Sequence, residues 1–482
     1  MRKSGILLPV FSLPSPHGIG TFGKAALRFV DFLKAAGQRY WQILPLHPTG
    51  FGDSPYQCFS SFAGNPYFID LDILCDEGLL TAEEINAANL GSDTGRIDYG
   101  RQYARRFPLF RKAFSRFVPG AAFAAFCAAR EKWLLPYARF MALKTANGGA
   151  AWYTWKEKTA APDEVRFWQF LQYHFFAQWQ AVKDYANAVG IDIIGDMPMY
   201  VAHDSADVWA AREQFLLDER GMPLLVAGCP PDAFSVDGQL WGNPIYNWDC
   251  MARQTPAFSW WGDRMAHALQ LYDVVRIDHF RGFASYYTIP FGEKTARRGK
   301  WRKGPGLALF DSLKKRCGEL PIMAEDLGFL TPDVRELLKE TGFPGMKVLQ
   351  FAFDSREDSD YLPHNYDHHC VVYTGTHDND TVLGWAKTAA PVDVAFARRY
   401  LHMADDDRLN WSMMRAAVAS VADTAILTMQ DILGLSSEGR INTPATDSGN
   451  WTWRVDAGCL NSRLAGILRE MTALYGRTKE GV

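Results

Sequence analysis

The sequence lacks three features that would place it in other classes of protein. None of its apolar runs approaches the ~20 residues that a membrane-spanning helix needs. Its formal net charge is only −3, which gives no electrostatic reason to expect nucleic acid or an anionic membrane as a partner. The eight cysteines show neither a C-x-x-C pair nor a metal-ligand spacing. We therefore expect reduced thiols, no metal and no cofactor.

The N-terminal segment does not predict a signal peptide. Its short apolar stretch is interrupted by Pro9 and Pro14, and no small-residue cleavage site follows. Together with the cysteine pattern, this indicates a cytoplasmic protein.

The length and the residue pattern favour one large α/β domain. Eight short apolar or β-branched runs alternate with helical patterns, which is typical of a parallel sheet closed into a (β/α)₈ barrel. We expect residues 1–482 to form this single domain, without a separate C-terminal β domain. The predicted strands are Tyr40–Leu46, Tyr67–Leu71, Ile191–Asp196, Asp273–Asp278, Pro321–Glu325, Lys347–Phe353, Val371–Thr376 and Ala425–Gln430.

Uneven spacing between these runs predicts two insertions. Residues 72–165 carry helical patterns and should form a helical subdomain, whereas residues 201–271 look loop-rich. Long loops inside a compact domain are usually functional. We expect both insertions to lie over the mouth of the barrel, with the second forming a groove.

Three carboxylates stand at the exits of predicted strands. Asp278 follows the fourth run, Glu325 ends the fifth and Asp378 follows the seventh. Barrel enzymes keep their chemistry at the carboxyl ends of the strands. Any one of these residues alone is more simply explained as a structural ion pair, a helix-cap partner or a surface turn. Their joint occurrence in one barrel favours an active site.

Enzymes that cleave glycosidic bonds use a pair of carboxyl groups. One group attacks the anomeric carbon and the other protonates the leaving oxygen. Their pKa values must differ so that one is ionised and the other protonated. Arg276 lies two positions before Asp278 and so shares its strand face, which favours the ionised form of Asp278. Glu325 has no cation close in sequence, which is compatible with a raised pKa.

An ordered set of motifs across nearly the whole chain resembles the amylomaltases, or disproportionating enzymes. These are the 4-α-glucanotransferases of glycoside hydrolase family 77 in the α-amylase clan. The motifs are Ser4-Gly-Ile-Leu-Leu, Ser15-Pro-His-Gly-Ile-Gly, Asp53-Ser-Pro-Tyr-Gln, Phe62-Ala-Gly-Asn-Pro-Tyr, Gly195-Asp-Met-Pro-Met-Tyr-Val, Trp241-Gly-Asn-Pro, Arg276-Ile-Asp-His-Phe-Arg-Gly, Ala324-Glu-Asp-Leu-Gly, Gly375-Thr-His-Asp-Asn, Asn442-Thr-Pro and Gly449-Asn-Trp.

The resemblance implies roles for particular residues. Asp278 would be the nucleophile, Glu325 the general acid/base and Asp378 the stabiliser of the transition state. The residues implied in substrate binding are Arg276, His377 and Asp196 on the donor sugar, Tyr56 as a ring stacking beside the scissile bond, and Gln239 and Trp241 on the acceptor side.

The activity that the resemblance implies is transfer of a segment of an α-1,4-glucan to the 4-hydroxyl of an acceptor glucan or of glucose. The mechanism would be retaining double displacement. The expected partners are maltooligosaccharides, glycogen or starch, and glucose, with neither nucleic acid nor a membrane among them. The oligomeric state is not readable from the sequence.

Other functions are compatible with parts of the sequence. An α-amylase-type retaining hydrolase would use the same three carboxylates. A non-catalytic glucan-binding protein would not need them intact. The Gly18-Ile-Gly-Thr-Phe-Gly segment matches the dinucleotide-binding glycine pattern, but Pro14 and Pro16 interrupt the strand that should precede it. The acidic residue expected about twenty positions later is also missing.

Overall fold

Twelve strands and seventeen α-helices are present in the part of the chain that the computed structural model describes, residues 2–91, 95–231, 236–328, 330–356, 358–404, 406–446 and 448–478. The strands are β1 Lys3–Leu7, β2 Tyr40–Gln42, β3 Asp192–Met197, β4 Leu225–Cys229, β5 Gln239–Pro244, β6 Val274–Ile277, β7 Ser285–Pro290, β8 Lys300–Lys303, β9 Ile322–Ala324, β10 Gly345–Val348, β11 Cys370–Tyr373 and β12 Thr424–Thr428.

The helices follow the strands in the alternation that a barrel requires. They are α1 Lys24–Ala35, α2 Leu71–Asp76, α3 Ala82–Ala88, α4 Tyr99–Arg116, α5 Ala121–Ala129, α6 Glu131–Ala146, α7 Pro162–Ala188, α8 Ala206–Ala210, α9 Trp248–Ala252, α10 Ser259–Leu271, α11 Leu307–Cys317, α12 Pro332–Thr341, α13 Val382–Thr388, α14 Pro391–Tyr400, α15 Leu409–Ala419, α16 Met429–Leu433 and α17 Ser462–Leu474.

Eight of the strands form a parallel sheet in the order β10-β11-β12-β1-β2-β3-β6-β9. The two ends of this order meet, because the backbone N–H of Ala324 in β9 donates to the carbonyl of Pro344, one residue before β10, at 2.9 Å. The (β/α)₈ barrel predicted from the sequence is thereby confirmed. Past β12 the described residues carry α16 and α17 and no strand.

One predicted strand is wrong. Residues 67–71 do not form a strand, because Pro66–Phe68 is a 3₁₀ turn and Asp70 accepts the backbone N–H groups of Asp72 and Ile73 at the start of α2. A proline at the first turn position and an aspartate N-cap favour helical turns over extended backbone. The other seven predicted runs overlap barrel strands.

The barrel strand missing from the prediction is β1, which pairs with both β12 and β2. Its Gly5 lies so close to β2 that an added Cβ would be 2.5 Å from the Cβ of Tyr40. Glycine is therefore required by the approach of the two backbones, and the same residue weakens the strand pattern in the sequence. The prediction contains one wrong strand and omits one real strand, and both come before β6. The strands β6, β9 and β11 are therefore still the fourth, fifth and seventh barrel strands along the chain.

The two segments predicted as insertions differ in structure. Residues 72–165 carry α3 to α6, in agreement with their helical pattern. Residues 201–271 are not only loops, because they contain β4 and β5 besides three helices, and positions 232–235 of this segment lie outside the described residues. The division of residues 1–482 into one barrel domain with two insertions stays a prediction.

A second sheet, absent from the prediction, stands beside the barrel mouth. It is antiparallel, has the strand order β5-β4-β7-β8, and encloses a small core of Val226, Tyr287, Ile289 and Ala296. β7 begins directly after the 3₁₀ turn Phe280–Phe283, which follows the exit of β6. The sheet is thus joined to the carboxyl end of a barrel strand.

Most of the aromatic side chains are core residues, and the largest fully buried ones include Trp41, Trp179 and Trp261. All eight cysteines lie among the described residues, and none of them forms a disulfide. Among the described residues, no helix is both long and apolar enough to cross a lipid bilayer.

Candidate active site

Asp278 and Glu325 are held level with each other by the register of two neighbouring strands. β6 and β9 are parallel, and Ile277 pairs with Ala324, so the next residue of each strand comes at the same height. The backbone N–H of Glu325 donates to the carbonyl of Ile277 at 3.0 Å, and the N–H of Phe280 donates to the carbonyl of Glu325 at 2.9 Å. Neighbouring strands lie about 4.8 Å apart. The side chains of Asp278 and Glu325 are therefore direct neighbours at the carboxyl end of the barrel.

A buried ion pair supports Asp278 from below. Nη1 of Arg276 lies 2.8 and 2.7 Å from the two carboxylate oxygens of Asp196 and 3.2 Å from Oδ1 of Asp278. The Tyr56 hydroxyl donates to Oδ2 of Asp196 at 2.8 Å. The side chains of Arg276 and Asp196 are 3% and 0% exposed, so each charge is compensated inside the protein, which buried charges require.

Burial raises the pKa values of both carboxyls at the ends of β6 and β9. For Asp278, burial raises the pKa to about 7, Arg276 opposes this rise, and the neighbouring carboxylates add to it. Arg276 thus favours the ionised form, as expected from the sequence, but burial and like charge outweigh it, so the net pKa lies above the usual range of an aspartate. Asp278 still keeps 27% of its side chain exposed, which leaves it accessible to a substrate.

Glu325 also has a raised pKa, first because of burial. Arg276 and two backbone donors, the N–H of His279 at 2.6 Å and the N–H of Leu327 at 3.1 Å, act against that rise. Two interacting carboxyls with raised pKa values lose their protons in separate steps. Between these two steps the pair carries one proton, which is the state that an attacking carboxylate and a proton donor need.

Asp378 has the opposite electrostatics. Burial alone would raise its pKa, but Nε2 of His377 at 3.3 Å from Oδ2, the amide of Asn442 donating to Oδ1 at 2.6 Å, and the more distant Arg276 lower it well below the usual range. In return, Asp378 raises the pKa of the buried His377 against the effect of burial. Asp378 is therefore a permanent negative charge, and 45% of its side chain is exposed.

Ring contacts connect the two halves of the site. Tyr56 stacks on His377 with ring centroids 5.1 Å apart and an interplanar angle of 16°, and its hydroxyl lies 3.5 Å from Nδ1 of His377. Trp451 packs against both rings at 5.8 and 6.0 Å. Contacts therefore run without a break from Asp378 through Tyr56 to the ion pair beneath Asp278.

Gln239 and Trp241 on β5 complete the predicted set. Nε1 of Trp241 donates to Oε1 of Gln239 at 3.0 Å, and the indole meets the ring of His279 edge-on at 4.8 Å. Gln57, next to Tyr56, donates to the carbonyl of Trp241 at 3.4 Å. All nine residues predicted for the site thus lie in one connected cluster at the barrel mouth, whereas the roles assigned to them stay predictions.

The sequence reasoning did not assign Asn442, His279 or Trp451 to the site, although each lies in one of the motifs quoted above. Asn442 contacts Asp378 from 64 residues away in the chain, so no local spacing connects them. Within the described ranges, no group of three His, Cys, Asp or Glu side chains is arranged to hold a metal ion.

A parallel (β/α)₈ barrel with carboxylates at the exits of its fourth, fifth and seventh strands defines a class, the barrel enzymes that act on glycosidic bonds. The model of one such family, described as 4-alpha-glucanotransferase of glycoside hydrolase family 77, matches residues 8–460. The chain belongs to this family.

Individual relatives agree with this assignment. The 4-alpha-glucanotransferase of Clostridium butyricum is 48% identical over 485 residues, which cover 97% of this chain and 99% of the relative. That of Thermus thermophilus is 49% identical over 496 residues, with 98% of each chain covered. The solved structure of the amylomaltase from Streptococcus agalactiae in complex with acarbose has a TM-score of 0.96 and 40% identity, covering 99% of this chain and 100% of that one.

Proposed function

We propose that this protein is a 4-α-glucanotransferase that moves a segment of an α-1,4-glucan to the 4-hydroxyl of an acceptor glucan or of glucose. Family membership supports the reaction class. The single observation that carries the chemistry is the pair Asp278 and Glu325, level on adjacent strands and both with raised pKa values. This pair suits a retaining reaction, in which the two carboxyls must lie about 5–5.5 Å apart.

In the first half of the reaction, the ionised carboxylate of Asp278 attacks the anomeric carbon of the donor sugar. The bond between that carbon and the glycosidic oxygen breaks, and Glu325 gives its proton to the departing 4-oxygen. The product is a glycosyl ester on Asp278. The proton shared by the two carboxyls lies on Glu325 at this stage, because the nucleophile is the partner of Arg276.

In the second half, the 4-hydroxyl of an acceptor attacks the same carbon, its proton passes to Glu325, and the carboxylate of Asp278 leaves. Two inversions at one carbon retain the α configuration. Transfer rather than hydrolysis requires that water be excluded until an acceptor binds. Gln239 and Trp241 on β5 line the side on which we place that acceptor.

The remaining predicted residues hold the donor sugar. Asp378, ionised at every pH of interest, faces the site as a fixed charge that stabilises the positive charge developing on the sugar ring. Asp196, Arg276 and His377 offer hydrogen-bond partners to the sugar hydroxyls, and the Tyr56 ring offers a flat face. We propose that the donor sugar sits between these groups.

Incubation with maltotriose tests this function against the hydrolase alternative. A transferase should release glucose and build maltooligosaccharides longer than the substrate, and chromatography separates these products. Glucose and maltose without elongation would indicate a hydrolase and contradict the proposal. Acarbose, the ligand of the Streptococcus agalactiae amylomaltase structure, is expected to inhibit either reaction.

We further propose that the substrates are maltooligosaccharides, glycogen or starch, with glucose as the smallest acceptor, and that the protein acts in the cytoplasm without a cofactor. The lack of a disulfide among the eight cysteines supports a reducing compartment. Full loss of transfer on addition of EDTA would contradict the absence of a metal requirement.

A further inference from the structure

Asp431 is a buried carboxylate that the proposed reaction does not use. It lies in the first turn of α16, just past the exit of β12, and is only 1% exposed. Burial raises the pKa of this carboxyl, whereas three hydrogen-bond donors act against the rise. A buried carboxylate needs such donors, because it has lost its contact with water. The origin of the three donors indicates what the residue does.

One of the three donors belongs to the same helical turn. The hydroxyl of Thr428, the N-cap of α16, donates to Oδ2 of Asp431 at 2.8 Å and accepts the backbone N–H of Asp431 at 3.3 Å. Such an exchange stabilises the start of a helix. It accounts for an acidic residue at this position, but it does not account for the other two donors.

The other two donors come from the two ends of one segment beside β12. The hydroxyl of Thr374, the residue after β11, donates to Oδ2 of Asp431 at 2.6 Å. The backbone N–H of Val382, the first residue of α13, donates to Oδ1 at 2.7 Å. β11 and β12 are adjacent parallel strands, so their exits lie side by side. We call residues 374–382 the Asp378 loop.

Asp378 is the middle residue of this loop, four positions from each end. Its carbonyl accepts Nη2 of Arg440 at 2.9 Å, and its carboxylate accepts the amide of Asn442 at 2.6 Å. These contacts act on Asp378 itself, whereas Asp431 acts on the ends of the loop. Because one carboxylate binds both ends, the ends cannot separate without breaking one of its hydrogen bonds.

We propose that Asp431 is a positioning residue, which fixes both ends of the Asp378 loop and thereby places the charge of Asp378 beside the donor sugar. This inference rests on the proposed function, in which Asp378 stabilises the positive charge on the sugar ring. That charge develops only in the transition state. Loss of the bonds at the loop ends should therefore lower kcat more than it changes KM.

Two threonines that donate to the same oxygen of Asp431 provide a matched pair of variants. Thr374→Val removes a bond from the Asp378 loop, and Thr428→Val removes a bond within the turn of α16. Thr374→Val should lower kcat for maltotriose disproportionation roughly tenfold and change KM by less than about twofold, because a displaced group loses its effect steeply. Thr428→Val should change kcat by less than about twofold, although it destabilises the fold to a similar extent in thermal unfolding. A loss of kcat as large in Thr428→Val as in Thr374→Val, or no loss in either, would overturn the inference.

Changes of Asp431 itself should follow the same order. Asp431→Ala removes all three bonds and should lower kcat at least as much as Thr374→Val does. Asp431→Asn keeps a carbonyl oxygen for the N–H of Val382, and the threonine hydroxyls can accept from its amide nitrogen. It should therefore recover most of the loss. Equal kcat values for Asp431→Ala and the wild type would contradict the role of Asp431.

Crystal structures of the two threonine variants separate this inference from the proposed reaction, because they require no turnover. In Thr374→Val, the carboxylate of Asp378 should move away from the amide of Asn442, whereas Thr428→Val should keep the 2.6 Å contact. An unmoved Asp378 in Thr374→Val would overturn the positioning role, whether or not the wild-type protein transfers glucans. A displaced Asp378 together with a wild type that shows no turnover would contradict the transferase function alone.

Discussion

The exits of β6 and β9 and the exit of β11 present carboxylates in opposite electrostatic states. Asp278 and Glu325 follow their strands directly, are fixed by strand register, and have raised pKa values. Asp378 lies in a loop five residues beyond β11 and has a lowered pKa, because His377 and Asn442 supply donors to it. The difference shows that neighbours, rather than residue type, determine which carboxyl carries the mobile proton and which remains a fixed charge.

The largest effect is expected from changes in the strand-end pair. Asp278→Asn and Glu325→Gln should each lower kcat for maltotriose disproportionation on the order of 10⁴-fold, because each removes a group that forms or breaks a bond to the substrate. Asp360→Asn, which removes an exposed carboxylate paired with Arg335, should leave the rate unchanged. Retention of more than a tenth of the rate by either site variant would contradict the assignment.

A smaller effect on kcat is expected from a change beside Asp378. Asn442→Ala removes the amide that donates to Asp378 but leaves His377 in place, so kcat should fall about tenfold and the pKa of Asp378 should rise. An NMR titration of the Asp378 carboxyl measures this rise directly. Asn365→Ala serves as the control, since it deletes a similar hydrogen bond outside the site, from the side-chain amide of Asn365 to the carbonyl of Ser359. An unchanged titration of Asp378 would show that Asn442 does not lower its pKa.

The smallest effect is expected on folding stability, where Asp278→Asn and Asp378→Asn should cause changes of opposite sign. The raised pKa of Asp278 means that its protonated form favours folding, and this contribution is lost as pH rises through about 7. Asp278→Asn should therefore stabilise the fold at pH 8.5 by on the order of 1 kcal/mol and have less effect at pH 4. Thermal unfolding at both pH values measures this.

Asp378→Asn should behave in the opposite way in the same experiment. Its lowered pKa means that the ionised form favours folding, so the variant should unfold at a lower temperature at pH 8.5. The difference from the wild type should shrink as pH falls through the folded pKa. Shifts of the same sign for the two variants would contradict the electrostatic contrast between the strand exits.

The barrel was predictable because its strands are short buried apolar runs, and the Arg276–Asp278 pair was predictable because side chains two apart share a strand face. β1 escaped detection because Gly5, which the neighbouring strand requires, dilutes the pattern. The 67–71 run was misleading because its aromatic and apolar residues outweighed the turn signals of Pro66 and Asp70.

Features that depend on distant parts of the chain were beyond sequence reasoning. The antiparallel sheet joins β4 and β5 to β7 and β8. All four residues of its edge strand β8 are exposed, so no alternation of buried and exposed residues marks this strand. The net direction of the pKa shift of Asp278 also could not be derived from the sequence. Sequence shows the cation at position 276, but it does not show how deeply the surrounding loops bury the pair.

The joint between β9 and β10 has a consequence for how the site responds to deformation. Here the N–H of Met346 donates to the Asp326 carboxylate at 2.6 Å, beside the backbone bond between Ala324 and Pro344. The backbone of Glu325, in contrast, is hydrogen-bonded to Ile277 and Phe280, at the end of β6. If the barrel opens between β9 and β10, the spacing between Glu325 and Asp278 is preserved, because both residues lie on the same side of that opening.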